Sequence, residues 1–170
     1  MIHRKILRLV SNSSPIIGLA TIGLLDLLWE LFDEVFIPEA VFHELVCQSK
    51  NALGRLELID AVKNKNIIVY QVKNQEFVDQ FYGKLHKGEL EVIIGAKELN
   101  ADYLLLDEKT ARNFALALSL EPTGLIGILI LAKSVGKIKE IKRYLDLLIE
   151  KNYRIAKNLY LQILSEQGEL

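Results

Sequence analysis

Short aliphatic runs alternate along this chain with stretches whose apolar residues recur every three or four positions, and turn-forming residues separate them. The first run, Ile6 to Val10, stops at Ser11-Asn12-Ser13-Ser14-Pro15, where cap and turn residues precede a proline suited to a first helical position. Strand, tight turn and helix are expected in that order. Helices are predicted over Pro15 to Ile22 and Leu24 to Phe32, parted by Gly23, followed by a brief strand over Glu34 to Ile37. Pro38 opens a third helix, in which Val41, Phe42, Leu45 and Val46 recur at helical spacing. A further helix is expected from Leu53 to Lys63, and Ile67 to Val72 reads as a strand.

Helices over Gln75 to Leu85 and Gly88 to Leu99 lead into Tyr103 to Leu106, an unbroken apolar run of the kind that forms a buried parallel strand and that ends here at Asp107. A helix from Glu108 to Leu118 and an extended piece at Leu120 to Pro122 follow. Thr123-Gly124 then introduces an apolar helix through Ala132, and helices over Ile138 to Glu150 and Ala156 to Glu166 finish the pattern. Strands alternating with helices of this length predict an α/β fold, a parallel sheet with helices on both faces. A length of 170 residues suits one domain, with 137–170 as a helical extension packed on its core.

Composition narrows the functional classes. With 21 basic and 22 acidic residues the formal charge is −1, so no global positive field draws in nucleic acid, and any such binding rests on a local patch. Cys47, the sole cysteine, excludes an intrachain disulfide and a cysteine-cluster zinc site, and is expected to be a core thiol. His3, His43 and His86 lack metal-ligand spacing. The apolar stretch from Ile16 to Trp29 is broken by Thr21 and Asp26 and falls short of the roughly 18 uncharged residues of a membrane span. No signal peptide is read in the basic start, so a cytoplasmic protein is expected.

Parallel α/β sheets bind ligands at the carboxyl ends of their strands, where the strand order reverses. Two strands end on a suitable residue, Asn12 and Asp107, and their tips face each other if the strands are neighbours. Glu44 lies about 60° from Val41, at the edge of its helix's apolar stripe. Glu89 shares a face with Val92, Ile93 and Ala96, and a carboxylate on an apolar face needs a partner. Glu91 points roughly 160° away and clusters with Glu98. Carboxylates buried together need cations, and oxygen-only ligand sets favour Mg²⁺ or Mn²⁺, ions that serve phosphodiester hydrolysis. Each residue also has a structural reading. Asn12 suits a turn or helix cap, Asp107 a cap for the next helix, Glu89 a first-turn acid, and Glu44 a surface charge.

In order along the chain, SNSSPIIGLATIGLLDLL, VFIPEAVFHEL, GELEVIIGAKELNADYLLLDE, PTGLIGILILAKSVGKI and NYRIAKNLYLQILSEQGEL resemble PIN-domain proteins of a branch related to VapC-type toxins. The resemblance implies a three-layer sandwich with a central parallel sheet of about five short strands. It implies an endoribonuclease that binds Mg²⁺ or Mn²⁺ at the positions of the family's four acids, which fall on Asn12, Glu44, Glu89 and Asp107, with Ser14 as the hydroxyl in the first turn. Asn12 stands where the family has aspartate; its amide offers an oxygen but no charge, so metal affinity should fall. Lys84, His86, Lys87, Lys109 and Arg112 are candidate cations for RNA backbone contacts. The implied partners are RNA, a second copy in a homodimer, and a small antitoxin-like protein for which Leu125 to Leu131 and the last two helices offer surface. The alternative is a weakened PIN-fold module that binds RNA or such a partner without catalysis. The same pocket chemistry also admits phosphoryl transfer on small molecules.

Overall fold

Runs that are apolar on both faces need cover on both sides, and the computed structural model, which describes residues 4–48 and 53–170, supplies it. His3 lies outside the described residues. Strands β1 (Arg8–Ser11), β2 (Glu34–Pro38), β3 (Ile68–Tyr70), β4 (Tyr103–Leu105) and β5 (Pro122–Thr123) form one sheet in the order β3-β2-β1-β4-β5. Every pairing is parallel, with Val10 opposite Phe36 on one side and Leu104 on the other. The chain builds outward from β1 to β3 and then crosses back to β4, so β1 and β4 flank the point where the order reverses.

The strands alternate with helices α1 (Ser13–Thr21), α2 (Leu27–Leu31), α3 (Glu39–His43), α4 (Arg55–Lys63), α5 (Gln75–Phe81), α6 (Lys87–Glu98), α7 (Lys109–Ala117), α8 (Leu125–Ser134), α9 (Lys142–Glu150) and α10 (Lys157–Glu166). Helix α6 lies across β1, β2 and β4, while α1 and α2 pack with α8, giving a three-layer α/β sandwich. Leu9, Val10, Ile37, Leu104, Leu105 and Leu106 are fully or almost fully shielded in its core. Leu125, Ile128, Leu129 and Ala132 of α8 are buried there as well, and so are Ile138, Leu145, Leu148, Ile163 and Leu164 from the last segment. Among the described residues no helix is long and apolar enough to cross a membrane.

Several elements are shorter than the periodicity predicts, and each has a local cause. Helix α5 stops at Phe81 because Gly83 takes φ +96°, where a residue without Cβ is favoured, and Tyr82 then bridges to Leu85. Helix α9 begins at Lys142 rather than Ile138, where the Glu169 carboxylate accepts the backbone N–H of Ile141 and of Lys142 at 2.7–2.9 Å. The helix after Pro38 ends at His43 and continues as a π-helical turn over Glu44–Gln48. That turn brings Cys47 to the surface, so the thiol is exposed and not a core residue.

Candidate functional site at the carboxyl edge of the sheet

The amide of Asn12 donates to the Leu105 carbonyl at 3.0 Å, carrying the β1–β4 ladder one residue past the strand and placing the β1 tip at the switch point. Asn12 occupies the N-cap position of α1, yet its side chain makes no capping bond. It turns instead towards the start of α6. A Cβ at Gly88 would lie 3.4 Å from Asn12 Oδ1 and 3.5 Å from Glu44 Oε2. Two oxygens, from the β1 tip and the π-turn after α3, therefore converge on the space left by the absent side chain. Glu44 is exposed, and Ser13 Oγ holds its other oxygen at 3.1 Å. Ser13 is thus a contributor that sequence reasoning passed over in favour of Ser14.

Glu89 is buried, as its place on the apolar face of α6 predicts. Its Oε2 accepts the His86 N–H at 3.0 Å, satisfying one of the free donors at the helix start, and Oε1 takes no hydrogen bond among the described residues. The inward and first-turn readings of Glu89 therefore describe one geometry. Glu91 departs from the helical-wheel expectation: it is only 3% exposed, it accepts the Ala40 N–H at 3.1 Å, and Lys87 Nζ stands 3.7 Å away. Every residue from Glu89 to Ala96 is buried, so α6 has no outward face here, and α3 covers the side that the wheel assigns to solvent. Glu98 stays apart, accepting from the Tyr70 hydroxyl and from the N–H groups of Lys73 and Asn74.

Asp107 leaves the tip of β4, but it does not cap α7. Its Oδ1 accepts the N–H of Leu125, the first residue of α8, at 3.0 Å. Its Oδ2 accepts from Ser14 Oγ at 3.4 Å and from the hydroxyl of Tyr153, in the loop between α9 and α10. Gly124 permits the backbone contact, since a Cβ there would come within 3.0 Å of Asp107 Oδ1. Burial and the adjacent carboxylate push the Tyr153 phenol above its ordinary pKa.

Two grooves result. The larger, about 1360 Å³, takes in Asn12, Glu39, Glu44, Glu89 and Glu91, with His43, His86 and Lys87. The smaller, about 640 Å³, holds Ser14, Asp107, Arg112 and Tyr153. Lys84 and Lys109 are exposed away from both, Lys84 with its ammonium 5.7 Å from the Phe81 ring centre. The structure thus brings Asn12, Glu44, Glu89 and Lys87 to one groove and sets Asp107 and Ser14 in the other. Among the described residues no three acids, imidazoles or thiols are placed to hold one metal ion. Asn12 Oδ1 and Glu44 Oε2, both near Gly88, are hard donors of the type that Mg²⁺ and Mn²⁺ prefer. Mg²⁺ commonly binds through one or two carboxylates, with water and substrate phosphate completing its shell.

A family model described as a PIN domain matches residues 8–169. No curated protein matches the chain. Among solved structures, the chain is similar to a domain of a functionally unknown protein from Methanocaldococcus jannaschii DSM 2661, with 22% identity, 69% of this chain and 90% of that one covered, and a TM-score of 0.43.

Proposed function

Because this chain belongs to the PIN-domain family, whose fold is of nuclease type, we propose that it is a divalent-metal-dependent endoribonuclease. The observation that carries the reading is the convergence of Asn12 Oδ1 and Glu44 Oε2 over Gly88, in a groove lined by four glutamates and one lysine. Such a groove repels RNA unless a cation offsets its charge. A hard divalent ion bound by Asn12 and Glu44 would supply that offset and would favour ionisation of an attacking water.

The protein's own groups do the rest. Ser13 fixes Glu44 so that one carboxylate oxygen faces the cradle. Glu89 has one oxygen fixed by the α6 backbone, and its Oε1 is available to take a proton from water as the phosphodiester is attacked. Lys87 supplies a cation for the RNA backbone. The further partners this reading implies are a second copy of the chain and a small antitoxin-like protein.

A second reading rests on Asp107 and Asn12. One has its oxygens occupied by three donors and the other is uncharged, which suits a PIN-fold module that binds RNA without cutting it. Calorimetric titration of Mn²⁺ together with incubation of a mixed RNA pool separates the two. The ribonuclease reading predicts ion binding and cleavage by the wild type, both lost in Glu44→Gln with Glu89→Gln. RNA binding without cleavage at millimolar Mn²⁺ would establish the second reading.

A further inference from the structure

The larger groove has lining residues that the proposed chemistry does not use. Besides His86 and Lys87 it is lined by Gln71, Gln75 and Tyr82. Tyr82 is 68% exposed, the most open aromatic side chain among the described residues, and its hydroxyl has no hydrogen-bond partner there. The ring is nonetheless carried on a braced turn. Tyr82 bridges to Leu85, the Lys84 amide donates to the Phe81 carbonyl at 3.1 Å, and Gly83 absorbs the left-handed φ. Behind the turn Phe81 packs against Phe77 and Phe114, with ring centres 4.6 and 5.2 Å away. The turn thus fixes the backbone of Tyr82 while its ring stays open to solvent, and an aromatic face of that kind stacks any nucleobase.

Its neighbours are complementary to the rest of a nucleotide. His86 and Lys87 line the same groove as Tyr82, Asn12 and Glu44. Gln71 offers an amide group that can meet a base edge, and Gln75, whose Nε2 donates to the Val72 carbonyl at 2.9 Å, offers its carbonyl oxygen. The acidic side chains of the groove suit a cation and a phosphodiester; its aromatic and basic side chains suit an unpaired base and the phosphate next to it.

We propose that Tyr82 is a base-stacking residue of a nucleobase subsite completed by Gln75, His86 and Lys87 in the larger groove. The proposal rests on RNA being the ligand of the groove. In duplex RNA the bases are stacked on one another and present no free face to Tyr82.

The test is a titration of wild type, Tyr82→Phe and Tyr82→Ala with a short single-stranded RNA carrying one 2-aminopurine, in millimolar Mg²⁺ and read before any cleavage. Stacking predicts fluorescence quenching by wild type and Tyr82→Phe. It predicts affinity about tenfold weaker and no quenching in Tyr82→Ala. Circular dichroism and Mn²⁺ calorimetry of Tyr82→Ala, both expected to match the wild type, exclude misfolding. Equal binding and quenching by all three proteins would overturn the subsite while leaving the ribonuclease reading intact. Loss in Tyr82→Phe equal to that in Tyr82→Ala would show a hydroxyl contact and overturn stacking. Absence of RNA binding by the wild type would overturn both readings.

Discussion

Gly88→Ala separates the candidate chemistry from the fold more cleanly than removal of any carboxylate. The new methyl would stand 3.4 Å from Asn12 Oδ1 and 3.5 Å from Glu44 Oε2, with Val41 Cγ2 also at 3.5 Å, all ordinary van der Waals distances. Nothing has to move for the protein to fold. Because alanine loses less backbone freedom than glycine in a helix, stability should hold or rise by up to about 1 kcal/mol. The same methyl fills the cradle on which the two oxygens converge, displacing the water that would complete the shell of a bound ion. Mn²⁺ affinity should therefore fall tenfold or more, a loss of about 1.4 kcal/mol, and RNA cleavage with it. Urea unfolding gives the first quantity, calorimetry the second and gel-resolved cleavage the third. A variant as stable as the wild type that binds Mn²⁺ with undiminished affinity would refute the assignment of the ion to the Asn12–Glu44 pair.

Three other substitutions test neighbouring parts of the argument. Asn12→Asp adds a charge at a position 8% exposed beside Glu44; calorimetry should show Mn²⁺ binding roughly tenfold tighter, and urea unfolding should show the metal-free protein about 1 kcal/mol less stable. Tyr153→Phe removes a donor to Asp107 and should cost about 1.5 kcal/mol in urea unfolding at pH 7. The folded phenol titrates above its unfolded value of about 10, so its stabilisation is full below that pH, and the gap between wild type and variant should close only as pH climbs past it. Glu169→Ala strips the carboxylate from the start of α9 and from Lys133 Nζ, 2.6 Å away, and should cost about 2 kcal/mol. Burial raises the Glu169 pKa, but Lys133 and the two backbone N–H groups outweigh it and hold the carboxyl below its ordinary value. The stabilisation is present above about pH 4.3, and acid titration of unfolding should show the difference vanishing as pH falls through the folded value.

The parts of the site written in local pattern were legible. A polar residue directly after an apolar strand marks a strand tip, and the parallel β1–β4 pairing puts Asn12 and Asp107 on neighbouring tips. Glu89 sits where its helical face says it should. The illegible parts depend on what a distant element brings. Glu91 is buried because α3 covers the face that the wheel assigns to solvent. Tyr153 reaches Asp107 across 46 residues of sequence, and no short-range signal encodes that contact. Cys47 is apolar enough for a core, yet the π-turn carries it outward, a backbone event to which hydrophobic periodicity is blind.

The two edges of the sheet handle their carboxylates differently, and the difference bears on function. At the amino edge Asp33, Glu34 and Asp102 are each paired with a cation: Arg4, Arg8 and Lys5 respectively. At the carboxyl edge the acids are met mainly by neutral donors. Backbone N–H groups at the starts of α6, α3 and α8 hold Glu89, Glu91 and Asp107, and a hydroxyl holds Glu44. Such donors satisfy hydrogen bonding and fix geometry without cancelling formal charge. Lys87 beside Glu91 is the one cation paired with these four among the described residues. The carboxyl edge therefore keeps a negative field in a rigid frame, which draws cations without enclosing them. An ion held this way has few protein ligands and gains most of its remaining coordination from a phosphate, so its affinity should depend on RNA. By linkage, RNA should bind more tightly when the ion is present, by the same factor.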